Sequence, residues 1–180
     1  MRDSYVYLMS SLPMLNFGAR SPVSAKQLLW ACEGIVPREE AEILRLILSG
    51  ESHKCPASNP AIIAWNSFDT SLRNELVRIR AARRRVDASK YLREGGEYDT
   101  SIAHTAINAF RAANPMESER MLDSERWRFL DGLSTGHYFD TEALTVYALK
   151  LYILEKWDRI ESSDRQALLK EALAVNPVRN

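Results

Sequence analysis

Cysteine, histidine and glycine are scarce in this chain. Two cysteines, Cys32 and Cys55, occur in 180 residues. With no secretory pattern around them they exclude a disulfide scaffold and read as reduced thiols of a cytosolic protein. The three histidines, His53, His104 and His137, have no His or Cys partner at the spacing that sets two metal ligands on one helix face. His53 and Cys55 together fall short of the four ligands of a structural zinc site. A Gly-rich loop running into Lys-Ser or Lys-Thr is missing, which argues against nucleotide hydrolysis of that type. An excess of one charge is missing too. Lys plus Arg and Asp plus Glu are 24 each, so the chain is not built as a general nucleic-acid or membrane-surface binder. Long apolar runs are absent. "ALTVYALKLYIL" at 143–154 contains Lys150 and is too short for a span, which needs about twenty residues. "SYVYLMSSLPML" at 4–15 is broken by Ser10 and Ser11 and stopped by Pro13, unlike a signal peptide. Strand signals are also lacking. Val, Ile and Thr do not alternate in runs, and no Asn-Gly or Asp-Gly pair stands between two such runs.

What the chain does have is helical punctuation. Apolar residues make up 46%, enough for a core in a single domain of this size. Ser24 caps "AKQLLWACE", ended by Gly34; Pro37 is the first helical residue of "PREEAEILRLILS", with Gly50 beyond it. "ESHKCPAS" reads as a loop. Asn59-Pro60 starts a long helix to about residue 85, with Trp65, Phe68, Leu72, Leu76 and Ile79 stacked on one face. Asp87 caps a short turn that Gly95-Gly96 breaks. "TSIAHTAINAFRAA" is a helix capped by Thr100 or Ser101, and Asn114-Pro115 with Glu117 resembles a capping box. Leu122, Phe129, Leu130 and Leu133 share an arc of the helix that follows. Asp140 caps "TEALTVYALKLYILEKWDRI", apolar nearly all round and therefore central or covered. Ser163 with Gln166 starts a last helix, stopped near Asn176-Pro177. Tyr5, Leu8, Met9 and Leu12 fall on one face at helical spacing, so the opening stretch is expected to be a short packed helix, with a strand as the other reading of its Tyr and Val. The expected fold is all-α, a compact bundle of about seven helices in one domain over 1–180, with 1–58 and 59–180 as the sub-units if it divides.

Charge concentrates in two places. "NPMESERMLDSERWRFLDG" alternates acids and arginines with no histidine or ligand set, and reads as a solvated helix face laced with ion pairs. "RIRAARRR" at 78–85 holds five arginines in eight residues. Arg73, Arg80 and Arg84 form one stripe, and Lys90 and Arg93 follow. Three readings stand for this run: a solvated face, an RNA-binding helix, or a docking surface for an acidic protein. Arginine suits the last because its planar guanidinium pairs with carboxylates through two hydrogen bonds.

"YVYLMSSLPML", "LRNELVRIRAARRRVDASKYLREGG", "NPMESERMLDSERWRFLDGL" and "HYFDTEALTVYALKLYILEKWDRI" resemble a bacterial family of uncharacterised proteins encoded among V-type (vacuolar/archaeal-type) ATPase genes. The resemblance runs from Tyr5 to Ile160. More faintly, the chain is similar to the funnel-shaped C/d-type component of V/A-type ATPases, which sits on the membrane rotor ring and receives the central stalk. Tyr5, Tyr7 and Leu8 match its "Y-x-Y-L" helix, and Tyr91, Leu92, Gly95 and Gly96 match its "Y-L-x-x-G-G" stretch. The funnel protein is longer and built of three related helical units. The resemblance implies a shortened relative of that funnel, acting as a non-catalytic accessory or central-stalk-like subunit that couples or positions the soluble motor relative to the rotor. It implies no enzyme activity, no catalytic residue, no cofactor and no metal. It also implies a cytoplasmic location peripheral to the inner membrane in a proton- or sodium-transporting complex, with the central stalk and rotor ring as partners. The partner-binding residues expected are Arg73, Arg80, Arg84, Lys90, Tyr91, Arg93, Gly95 and Gly96. A stand-alone helical assembly or regulatory factor is the alternative, and an RNA-binding helical module comes after it.

Overall fold

Two Asn-Pro pairs start the middle helices as the sequence requires. Asn59 accepts from the amides of Ala61 and Ile62 at 2.9 and 3.3 Å, and Asn114 accepts from Glu117 N at 2.8 Å. Each proline follows at a position whose missing N–H would have had no helical partner. In this computed structural model the protein is described over residues 5–56, 58–96 and 99–175, with 164–175 described by their backbone alone. Seven α-helices lie among the described residues: α1 Val6–Ser11, α2 Ala25–Cys32, α3 Arg38–Leu48, α4 Pro60–Arg84, α5 Thr100–Arg111, α6 Pro115–Leu133 and α7 Thr141–Val175. Single 3-10 turns follow α3 at Ser52–Lys54 and α4 at Ser89–Tyr91, and no strand occurs among the described residues.

α7 is the axis of the larger core. Ala148, Leu149, Leu151, Ile153 and Leu154 are all at most 2% exposed, so its middle is covered all round. α2, α3, α4 and α6 supply the cover, which explains why this segment has no polar stripe. The opening stretch joins the same core. Tyr5 and Leu8 are buried, and Met9, Leu12 and Leu15 pack against the cluster. Tyr5 N donates to Phe139 O at 2.6 Å, and Tyr147 Oη donates to Pro13 O at 2.9 Å, so the chain from Tyr5 lies along α7 before α2 begins. A smaller core holds Phe68, Leu72 and Leu76 of α4 against Ile102, Ala106 and Ala109 of α5 and Leu122 of α6. The alanines let α5 come close to α4. Phe129 touches both cores and stacks on Phe68 with ring centroids 4.0 Å apart.

Four local readings change. The cap of α5 is Asp99, whose carboxylate accepts from Ser101 N at 2.7 Å, and Thr100 is already helical. Pro37 is the residue before α3 and not its first turn. Glu117 reaches back to Ala113 N rather than to the Asn114 amide, so the box at α6 is displaced by one residue. No separate last helix starts at Ser163: α7 continues to Val175, and Ser162 and Ser163 donate back to Arg159 O at 3.0 and 2.8 Å. A serine hydroxyl satisfied inside the helix does not cap a new one, and neither Gly nor Pro interrupts 141–175. The stop at Asn176-Pro177 lies outside the described residues.

Candidate partner-binding surface

Arg80 and Arg84 are exposed on α4 and make no ion pair among the described residues. Arg73, one face-repeat earlier, is different. Its Nε donates to Asp69 Oδ2 at 2.6 Å, and the other oxygen of Asp69 accepts from Arg126 Nε at 3.0 Å. Arg73 is therefore tied to the interior, whereas Arg80 and Arg84 are not. α4 ends at Arg85, which has φ +56, the left-handed region. Arg85 N donates to Ala82 O and Val86 N to Ala81 O, the bond pattern that reverses a chain at a helix end.

The segment after this turn runs back along α4. Asn74 clamps it with two bonds, donating to Arg93 O and accepting from Arg93 N, both at 2.9 Å. Ser67 Oγ donates to Gly95 O at 3.2 Å. A Cβ on Gly96 would sit 3.1 Å from Ser71 N and Asn74 Nδ2, so glycine is needed where the two backbones meet. Gly95 has φ +88 and makes the turn just before. These two glycines and the Arg93 backbone thus build the loop, while Lys90 and Tyr91 point outward, Tyr91 being 62% exposed. At about 100° per residue, Ser67, Ser71 and Asn74 lie about a third of a turn round α4 from Arg73, Arg80 and Arg84. The expected residues therefore occupy two neighbouring faces of one helix rather than a single patch. Asn74 and Ser71, both buried, were not anticipated; their signal is a pair of polar residues beside an apolar stripe.

The acid–arginine run on α6 divides: Arg120, and Arg128 paired with Glu125, lie on a solvated face as expected, whereas Asp123 and Arg126 turn inward. Asp123 is 1% exposed. It accepts from Arg126 Nη1 at 2.8 Å, from Lys156 Nζ at 2.8 Å and from Trp157 Nε1 at 3.0 Å. Lys156 also bonds Glu119. This junction joins α4, α6 and α7 beside a cavity of about 160 Å³ lined by Trp65, Asp69, Glu119, Arg126 and Lys156. Burial works against the Arg126 charge, but Asp69 and Asp123 outweigh it and raise its pKa above the ordinary arginine value. Burial also works to raise the Glu119 pKa; the Lys156 hydrogen bond and charge, with Arg126 behind them, hold it below the usual carboxylate range. Every carboxylate here faces a cation, so the junction fastens helices.

His137, Asp140 and Glu142 bring one ligand atom each within 4.8 Å, a grouping that a search for His or Cys partners misses. His137 Nδ1 lies 2.6 Å from Asp140 Oδ2, and Asp140 Oδ1 accepts from Ala143 N at 3.0 Å. Asp140 is thus committed to starting α7, where the positive end of the helix opposes a cation. Burial pushes the Cys32 thiol up to about 11 and raises that of half-buried Cys55, so both stay protonated and unreactive.

A family model described as "Protein of unknown function (DUF2764)" matches residues 38–174. The chain belongs to that family. The matched region takes in α3 to α6 and nearly all of α7, and with them the arginines, the loop and the junction. No curated protein and no solved structure matches the chain.

Proposed function

We propose that this family member is a non-catalytic accessory or central-stalk-like subunit of a bacterial V-type ATPase, positioning or coupling the soluble motor relative to the membrane rotor. The observation that carries the reading is α7. Its 35 residues form one unbroken rod of about 50 Å, gripped along its first half by four other helices. Such a body bears load without a moving part, as a stalk component must. The stretches that resemble the ATPase-linked family lie on α1, on α4 and the loop after it, on α6 and on the first part of this rod. No helix among the described residues is long and apolar enough to cross a membrane, so contact with the membrane sector would run through the rotor ring and central stalk. The test is purification of the native ATPase through a tag on this chain, with the copies of each component counted. Recovery of the complex at a fixed, whole-number ratio is the expected result. Recovery at a small, variable fraction would favour a transient assembly factor, and recovery of no ATPase component would reject the reading.

A further inference from the structure

We propose that the C-terminal end of α4 and the loop after it dock onto a bounded acidic patch of a folded protein partner. Between Arg78 and Arg93 the chain carries seven cations against Asp87 alone, a net of +6. The whole chain sums to zero, so the rest carries −6. Arg78 is paired with Glu75, and Arg83 lies over the Phe110 ring at 5.5 Å. The Asp87 carboxylate is occupied by Ser89. That leaves Arg80, Arg84 and Arg85 exposed at the helix end, and Lys90 and Arg93 exposed on the loop along the neighbouring face, with no ion pair among the described residues. The negative end of a helix attracts cations in its last turn, which accounts for Arg84. Lys90 and Arg93 lie beyond that turn and are outside its reach.

The backbone adds an independent observation. Arg85 is the one non-glycine residue with positive φ among the described residues, at the helix-end position that glycine fills without strain. A side chain is kept there against strain and next to like charge, which fits a side chain used in contact. Tyr91 stands exposed on the loop that follows, and Tyr and Arg are among the residue types in which binding energy at protein interfaces concentrates. A nucleic acid or a membrane presents negative charge over a length far greater than this helix end. It would set that charge against the −6 remainder of the molecule, whereas a bounded patch on a protein does not.

The surface rests on the proposed ATPase role only for which protein supplies the patch. The full chain is titrated against a short fluorescein-labelled polyglutamate peptide, whose charge is bounded like that of a protein patch, followed by anisotropy at low and near-physiological salt. Binding that weakens with salt is expected, reduced about tenfold or more in Arg80→Gln/Arg84→Gln/Arg85→Gln, as for loss of several contacts. Arg85→Gly is the decisive variant: binding falls while the melting temperature holds or rises, because strain is relieved. No polyglutamate binding at low salt, or equal binding by the triple variant, overturns the proposal. So does tighter binding to single-stranded RNA or to phosphatidylserine vesicles than to polyglutamate. If the triple variant still recovers the ATPase at the parent ratio, the surface is wrong and the ATPase role stands. If the parent binds polyglutamate yet recovers no ATPase, the surface stands and the ATPase role falls.

Discussion

Arg126 and Arg84 both sit in charge-rich helices, but their surroundings are opposite. Arg126 is 12% exposed, with Asp69, Glu119 and Asp123 within 4 Å of its guanidinium. Arg84 stands in water at the end of α4 with no carboxylate beside it among the described residues. The difference lies in what other helices bring. α4 delivers Asp69 and α7 delivers Lys156 to the middle of α6, and each buried charge finds its opposite. Past Leu76, α4 faces α5, which offers alanines and Phe110 but no acid. The junction therefore holds the fold together, and the arginine end is left for contact outside the chain.

The largest effect that could break this contrast lies at Asp123. Asp123→Ala would leave Arg126, Lys156 and the Trp157 N–H facing an empty site. A loss of about 3–5 kcal/mol is expected by urea denaturation, as for removal of one partner from a buried charge cluster. A loss below about 1 kcal/mol would place the junction with ordinary surface pairs. A middle-sized effect should appear with acid. The folded pKa of Glu119 is depressed, so its contribution is present above the unfolded value and is lost as pH falls through the folded one. Thermal stability should be flat near neutrality and decline below the ordinary carboxylate range, at about pH 4 and under. Lys156→Met should shrink that decline; an unchanged slope would assign it to other carboxylates such as Asp140, whose pKa is also lowered. The smallest effect belongs to the free arginines. Arg80→Gln with Arg84→Gln should change stability by no more than about 0.5 kcal/mol, whereas Arg73→Gln, which shares Asp69 with Arg126, should cost up to about 1 kcal/mol. Equal effects from the three arginines would erase the distinction drawn between them.

Much of the fold is legible because helix starts are local events. Asn59, Asn114, Ser24 and Asp140 each bond an amide two or three residues on, and that geometry needs no distant partner. The apolar period of α4 and the stripeless middle of α7 are local as well, and they announce which faces must be covered. The burial of the opening stretch follows from the same logic, since Tyr5 and Leu8 share a face one helical turn apart. The separate helix expected after Ser163 does not form because a serine can cap a helix or bond back inside one, and the sequence around it permits both.

By itself the sequence determined that this protein is a bundle of helices, where most of them begin, and that 141–160 must be central or covered. It also placed an arginine-rich end on the longest middle helix. Only the tertiary structure decided which charges are buried. Arg126 meets Asp69 across 57 positions, and Lys156 meets Asp123 across 33. It likewise decided that Asn74 would clamp the returning loop at Arg93. The physical reason is the range of each effect. Capping and periodicity act within a turn or two of helix, while the cost of burying a charge is settled by groups that only the packing of distant helices brings within hydrogen-bond reach.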